Sequence, residues 1–367
     1  MSKLKLNAGG LSSLVIARDK EQTILKQYIE FSQHTVITAP RRYGKTTLVN
    51  KVLEDLKDDY LIVKVDIFEA TNIKELCELY INAVYKSIGI ANFLHSIKES
   101  IFTLLDNFKL QYQQDGIKLG YEISKEQDEN KLLEKTFNFA NKFATLFGKT
   151  MIVFFDEFGD TLKFGEEFLK KLRAYMQTHN SIVYLFAGSQ ASVMNNIFLN
   201  NNSAFFNFAS LFNLGLLDTL QTKEFLDNFS INNKTFDKQS IDKLEITTKF
   251  HPFYLIKTLQ EAYILALLDN KDIIDEQYII KAIKKILDDN NAYFESLWQK
   301  INNKKYKGTI FKTLSHSKDL KLLDINSSYK SQLLKELKDE GLLTKDLKFT
   351  DPFISLWLNN WKIIDEI

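Results

Sequence analysis

The sequence predicts an α/β fold: a parallel sheet wrapped by helices, then a helical segment, then a small tail of two helices and a wing. Three observations carry this reading. Short apolar runs alternate with stretches whose apolar residues recur at helical spacing, the pattern of strand–helix repeats. Two of the runs, residues 151–155 and 182–187, are apolar without a break, as strands covered on both faces are. From about Thr222 the strand-like runs stop, and the text reads as a helical bundle to about residue 302.

Each element can be justified in order. Residues 34–38 hold the first strand, and Leu48, Val52, Leu53 and Leu56 recur at helical spacing after the loop that follows it. A second strand at 61–65 ends in Asp66, and helical text runs from 73 to about 108. Residues 110–123 alternate apolar and polar on both sides of Asp115-Gly116, a turn dipeptide, so an inserted β-hairpin is expected there. The strand at 151–155 ends in Asp156-Glu157, and the one at 182–187 ends in Gly188-Ser189-Gln190. A shorter strand is expected at 212–217, and helices near 222–229, 240–248, 252–268 and 276–289. Helices near 310–314 and 329–340, followed by Gly341-Leu342-Leu343 and a Lys-rich β-like stretch, match a winged helix-turn-helix. Three domains result: 1–219 with the sheet and the hairpin, 220–302 as a helical lid, and 303–367 as the winged helix.

Composition narrows the function classes. The chain of 367 residues is 45% hydrophobic and 26% charged, with a formal net charge of +1, so any nucleic-acid surface must be local. Its single cysteine, Cys77, excludes an internal disulfide, and no Cys/His cluster has zinc spacing. No signal-like or membrane-length apolar run is present, so a cytoplasmic protein without membrane partners is expected.

The chemistry concentrates around the first strand. The run Ala39-Pro40-Arg41-Arg42-Tyr43-Gly44-Lys45-Thr46-Thr47 lies between a strand and an amphipathic helix. A loop of this kind curls backbone N–H groups around phosphates at a helix N-terminus. Glycine permits the turn, Lys45 reaches the β- and γ-phosphates, and the Thr46 hydroxyl holds Mg²⁺. The first glycine of the usual pattern is Ala39, the smallest departure available. Adjacent carboxylates at a strand end need metal or hydrogen bonds, so Asp156 is expected in the Mg²⁺ shell and Glu157 as the group that polarises the attacking water. Ser189, at the end of the next strand, is expected to reach the γ-phosphate, with Gly188 allowing close approach. The ligands implied are ATP or ADP and Mg²⁺. A strand-end turn at Asp156-Glu157 or at Ser189 is the plainer alternative.

These motifs resemble those of the archaeal-type ATPases of the STAND branch of AAA-like P-loop NTPases, whose loop reads G-P-R-R-x-G-K-[TS]-[ST]. The upstream Ala17-Arg18-Asp19-Lys20-Glu21, the triplet Asp156-Glu157-Phe158 and Gly188-Ser189-Gln190 follow in the family's order. So do Phe250-His251-Pro252-Phe253-Tyr254-Leu255 and Thr350-Asp351-Pro352-Phe353-Ile354-Ser355-Leu356-Trp357. The resemblance implies a P-loop NTPase sheet with a helical lid and a winged helix, a slow ATP-driven conformational switch, Arg18 beside the nucleotide base and Pro252 near the adenine. It also exposes departures: Phe250 stands where the family has glycine, and Asn207-Phe208 where relatives often carry Gly-Arg. Arginine occurs only at positions 18, 41, 42 and 173, which leaves Arg173 as the sole candidate for an arginine finger, a surface arginine being the plainer reading. Lys330, Lys335, Lys338, Lys345 and Lys348 of the tail offer a second reading, a DNA-binding ATPase whose lysines contact phosphate without reading sequence. A protein partner is open; the hairpin region is one place for it.

Overall fold

The computed structural model describes residues 16–87, 111–113, 116–118, 128–316 and 319–359. The main sheet has five strands, all parallel. They are β1 (Thr35–Thr38), β2 (Leu61–Asp66), β5 (Met151–Asp156), β6 (Ile182–Gly188) and β7 (Ser210–Asn213), in the spatial order β2-β5-β6-β1-β7. Helices separate them in sequence: α2 (Lys45–Asp55) after β1, α3 (Ile73–Lys86) after β2, α5 (Glu166–Met176) after β5 and α6 (Ala191–Phe198) after β6. A further helix, α4 (Glu129–Phe147), precedes β5, and α1 (Asp19–Glu30) precedes β1. Every residue of β6 is buried, as its unbroken apolar text requires.

Between α3 and α4 the backbone pairs β3 (Gln111–Gln113) antiparallel with β4 (Gly116–Lys118), inside the expected hairpin. The rest of that expected hairpin, and the helical text beyond Ser87, lie outside the described residues. The last strand ends earlier than expected, at Asn213 and not at 217. The ladder stops where the Leu214 N–H reaches the Thr38 carbonyl. Beyond it the carbonyls of Gly215 and Leu216 turn to the Arg18 guanidinium, so the apolar Leu216 and Leu217 continue the pattern without continuing the strand.

The C-terminal region is helical: α7 (Thr219–Asp227), α8 (Lys238–Thr248), α9 (Pro252–Leu268), α10 (Glu276–Asp289) and α11 (Asn291–Asn302). Asp218, Asp237 and Asp275 cap α7, α8 and α10 through N-terminal backbone N–H groups. Sequence reading missed a small sheet here, β8 (Ser230–Ile231), β9 (Lys234–Phe236) and β10 (Ile273–Ile274). Its hairpin turns at Asn232-Asn233, both at positive φ, which asparagine tolerates better than most residues. The tail carries α12 (Lys307–Ser315) and α13 (Ser327–Asp339), then an antiparallel bridge between Leu343 and Phe349, and α14 (Pro352–Leu358).

By compactness the chain falls into two units. One comprises residues 20–39 and 48–214 and holds the main sheet; the other comprises 1–19, 40–47 and 215–367. In the first, Cys77 is buried, and burial pushes its thiol up to about 12. No helix among the described residues is long and apolar enough to cross a membrane.

The N-terminal edge of the main sheet carries a buried polar cluster. His34 Nδ1 accepts the Tyr184 backbone N–H at 3.2 Å, and His179 Nδ1 bonds the Tyr184 hydroxyl at 2.6 Å. Burial, then the nearby Arg173 charge, lowers His34 to about 4; burial, then His34, lowers His179 to about 4. Both imidazoles are therefore neutral when folded and ordinary when unfolded. Their contribution is complete above about pH 6.5 and is lost as pH falls through about 4. Each is worth at most about 3 kcal/mol, and the two are not additive because they lie close together. The urea midpoint is expected to fall between pH 6.5 and 4.5, and to fall less in His179→Asn; equal slopes would remove His179 from the effect.

Candidate functional site

Two groups of residues emerge, one in each compact unit. The first surrounds the loop after β1. Ala39 is buried at the strand's exit, Pro40 follows, and Arg41 and Arg42 are exposed. Gly44 has φ +82°, a conformation that only glycine adopts without strain. Helix α2 then starts at Lys45, with Thr46 and Thr47 in its first turn, where backbone N–H groups have no partner within the helix. Lys45 is buried, and its Nζ donates to the Pro40 carbonyl at 3.3 Å, so the ammonium closes over its own loop. A bound phosphate oxygen would be a stronger acceptor for the same group.

Packing fixes the loop's shape. Arg18 is only 3% exposed, and its Nη2 donates to the carbonyls of Gly215 (2.7 Å) and Tyr43 (3.3 Å). Its Nη1 donates to the Leu216 carbonyl. Arg18 thus braces the loop backbone, which is how its buried charge is satisfied. The Arg42 guanidinium lies 4.4 Å from the centroid of the Phe253 ring. Pro252, at the first turn of α9, lies 4.0 Å from where a Cβ on Gly44 would sit. Arg18, residues 40–47 and Pro252 are therefore neighbours, as their proposed common ligand needs. Phe250 occupies the family's glycine position at φ +50°, after Lys249 at φ +51°. Two consecutive left-handed residues make the sharp reversal into α9, and the buried Phe250 ring offsets the strain.

The second group lies at the C-terminal edge of the main sheet. Parallel registers align Asp66 with Asp156, Phe155 with Phe186, and Thr38 with Gly188. The Asp156 carboxylate accepts the Glu157 N–H at 3.0 Å. Glu157 itself is left-handed, with φ +46°. Its Oε2 accepts both the Ser189 N–H (3.0 Å) and the Ser189 hydroxyl (2.9 Å). Asp156, Glu157 and Ser189 are brought together, but the Ser189 hydroxyl is directed to Glu157. Sequence reading missed that pairing, because it depends on the register of two strands and on a left-handed residue. It also passed over Asp66 as a member of the group. Burial raises the Asp66 carboxyl, with Asp156, Glu69 and Glu157 adding to the effect.

Gly188 packs tightly: a Cβ there would stand 2.5 Å from the Met194 Sδ of α6. One expectation needs correction. Arg173 lies near the opposite, N-terminal edge of the sheet. Its guanidinium sits 4.1 Å from the centroid of the Phe208 ring, its Nη1 donates to Gln177, and its charge acts on His34 at the start of β1. A helix that follows β5 runs back along the sheet, so an arginine in its last turn ends far from the Asp156 edge. Arg173 therefore serves packing within its own unit.

Among the described residues no group of three or more His, Cys, Asp or Glu is arranged to hold a metal.

No protein-family model matches the chain, and no curated protein matches it. Solved structures do match. The Walker-type ATPase PABY2304 of Pyrococcus abyssi superposes with a TM-score of 0.62 at 16% identity, over 94% of this chain and 96% of that one. The ORC2 protein of Aeropyrum pernix in its ADPNP–ADP complexes gives 0.61 at 12% identity, over 98% and 97%. Its ADP form gives 0.53 at 12% identity, over 98% and 97%. At these identities the likeness is one of fold. The chain shares with these proteins a five-stranded parallel α/β sheet and a C-terminal helical region.

Proposed function

We propose that the chain binds ATP with Mg²⁺ and hydrolyses it slowly, as a nucleotide-driven conformational switch. The observation that carries this reading is the loop itself: β1, a glycine at φ +82°, and a helix that begins at Lys45. The ORC2 structure of this fold carries ADPNP and ADP, which supports a purine nucleotide as the ligand. By motif chemistry, Pro40–Thr47 cradle the phosphates, Lys45 neutralises them, and Thr46 with Asp156 holds Mg²⁺, which neutralises phosphate charge when bound. Glu157 orients and deprotonates water, and Ser189 holds Glu157 in place. Arg18 and Pro252 shape the wall on the base side.

Part of the tail's charge is used within the fold. Lys330 donates to the Leu320 carbonyl, and Glu336 of α13 and Glu340 just after it pair with Lys304 and Lys307. The deciding assay is Mg²⁺-dependent ATP binding and turnover, with and without duplex DNA. In Lys45→Ala, affinity is expected to fall roughly a hundredfold, because a charge-assisted contact to phosphate is lost. Binding of equal strength in that variant would refute the nucleotide reading. Turnover that rises with DNA would favour the DNA-dependent alternative.

A further inference from the structure

Tyr43 occupies the one position of the Pro40–Lys45 loop that the phosphate-binding pattern leaves open to any residue. Phosphate binding by backbone N–H groups has no use for its hydroxyl. Yet Tyr43 is only 4% exposed, and its hydroxyl donates to the Thr350 carbonyl at 3.0 Å, a bond spanning 307 residues. Its ring meets His251 edge-on, with centroids 4.8 Å apart. Its own carbonyl accepts from Arg18. Burial, with Asp351 adding, pushes the phenol up to about 12, so the hydroxyl remains a donor through the physiological range.

Thr350 is held as firmly on its far side. Its N–H donates to the Leu342 carbonyl at 3.1 Å, and its hydroxyl to the Gly341 carbonyl at 2.6 Å. Asp351 caps α14 by accepting the N–H groups of Phe353 and Ile354. The same carboxylate accepts the Tyr254 hydroxyl at 2.7 Å, and Tyr254 lies flat on Phe353 with centroids 3.9 Å apart. Arg42, the residue before Tyr43, stacks on Phe253. The loop, the start of α9 and residues 341–354 thus form one continuous contact network inside a single compact unit.

We propose that Tyr43 is a positioning residue that ties the shape of the phosphate-binding loop to the segment 341–354, so that nucleotide affinity and the order of that segment rise and fall together. The proposal rests on reading the loop as a nucleotide site. The coupling is reciprocal: if docking of 341–354 strengthens nucleotide binding by some factor, nucleotide strengthens that docking by the same factor. A tyrosine that merely fills space would couple nothing, and its hydroxyl would be dispensable.

The test compares full-length wild type, Tyr43→Phe and Tyr254→Phe. Titration with a fluorescent ATP analogue and Mg²⁺ gives affinity, and backbone hydrogen exchange, with and without the analogue, gives the order of 341–354 and of α2. In the wild type, nucleotide is expected to slow exchange in both regions. Tyr43→Phe keeps the ring and loses one hydrogen bond, so binding is expected to weaken roughly threefold to tenfold. Nucleotide should still slow exchange in α2 but no longer in 341–354. Tyr254→Phe loosens the same segment without touching the loop, is expected to weaken binding in the same direction, and reads the coupling should Tyr43→Phe not fold. The proposal is overturned if Tyr43→Phe binds as tightly as wild type, or if nucleotide still protects 341–354 in that variant. A wild type that binds no nucleotide would instead bring down the nucleotide reading itself, and this proposal with it.

Discussion

Replacing Glu157 with glutamine is expected to lower Mg²⁺–ATP turnover by about 10²- to 10⁴-fold, the usual contribution of a positioned general base, with nucleotide affinity nearly unchanged. The reason lies in the pairing with Ser189. A glutamine carbonyl oxygen can still accept the Ser189 N–H and hydroxyl, so the side chain keeps its place and loses only its basicity. Single-turnover measurement separates the chemical step from product release. A rate within about threefold of wild type would remove Glu157 from the chemistry. Ser189→Ala removes one of the two hydrogen bonds and leaves the backbone one, so it is expected to lower turnover by only about tenfold or less.

The second large effect is on stability. Phe158→Ala is expected to destabilise the fold by about 3–5 kcal/mol, the range for emptying a fully buried aromatic site. Phe158 is completely buried, and its ring centroid lies 4.6 Å from that of Phe186, 5.4 Å from Phe205 and 5.6 Å from Phe198. It also immediately follows Glu157, whose left-handed backbone costs about 1–2 kcal/mol. With the ring gone, one of the restraints that keep Glu157 in that conformation is lost. Turnover should therefore fall further than the loss of folded protein explains. Urea unfolding gives the stability, and activity per folded molecule gives the rest; a loss below about 1 kcal/mol would show that the aromatic cluster repacks around the gap.

The strands were legible in the sequence because burial on both faces leaves an unbroken apolar run, as in Met151–Asp156 and Ile182–Gly188. The loop after β1 was legible because its backbone demands fixed residue types at fixed spacing, and Gly44 indeed sits where only glycine is unstrained. Other features depended on partners far away in sequence. The end of β7 is set by Thr38 and Arg18, and Leu216 and Leu217 gave no sign of it. Strands as short as Ser230–Ile231 have too few residues to show a period. The direction of the Ser189 hydroxyl follows from strand register and one positive φ, which no local pattern encodes. The place of Arg173 followed from simple geometry, since a helix after a strand ends at the other side of the sheet.

The division of the chain into two compact units bears on how such a protein could be taken apart. The backbone passes between the units four times, after residues 19, 39, 47 and 214. The loop that carries Lys45 is grouped with the C-terminal helices, although its flanking strand and most of its helix belong with the sheet. A shortened chain ending near residue 214 would keep all five strands and lose Gly215, Leu216, His251, Pro252 and Thr350, the surroundings that shape the loop. Modular recombination at that boundary would therefore transplant a sheet without the contacts that hold this loop in shape. Residues as far along the chain as Thr350 therefore belong to the surroundings of this loop.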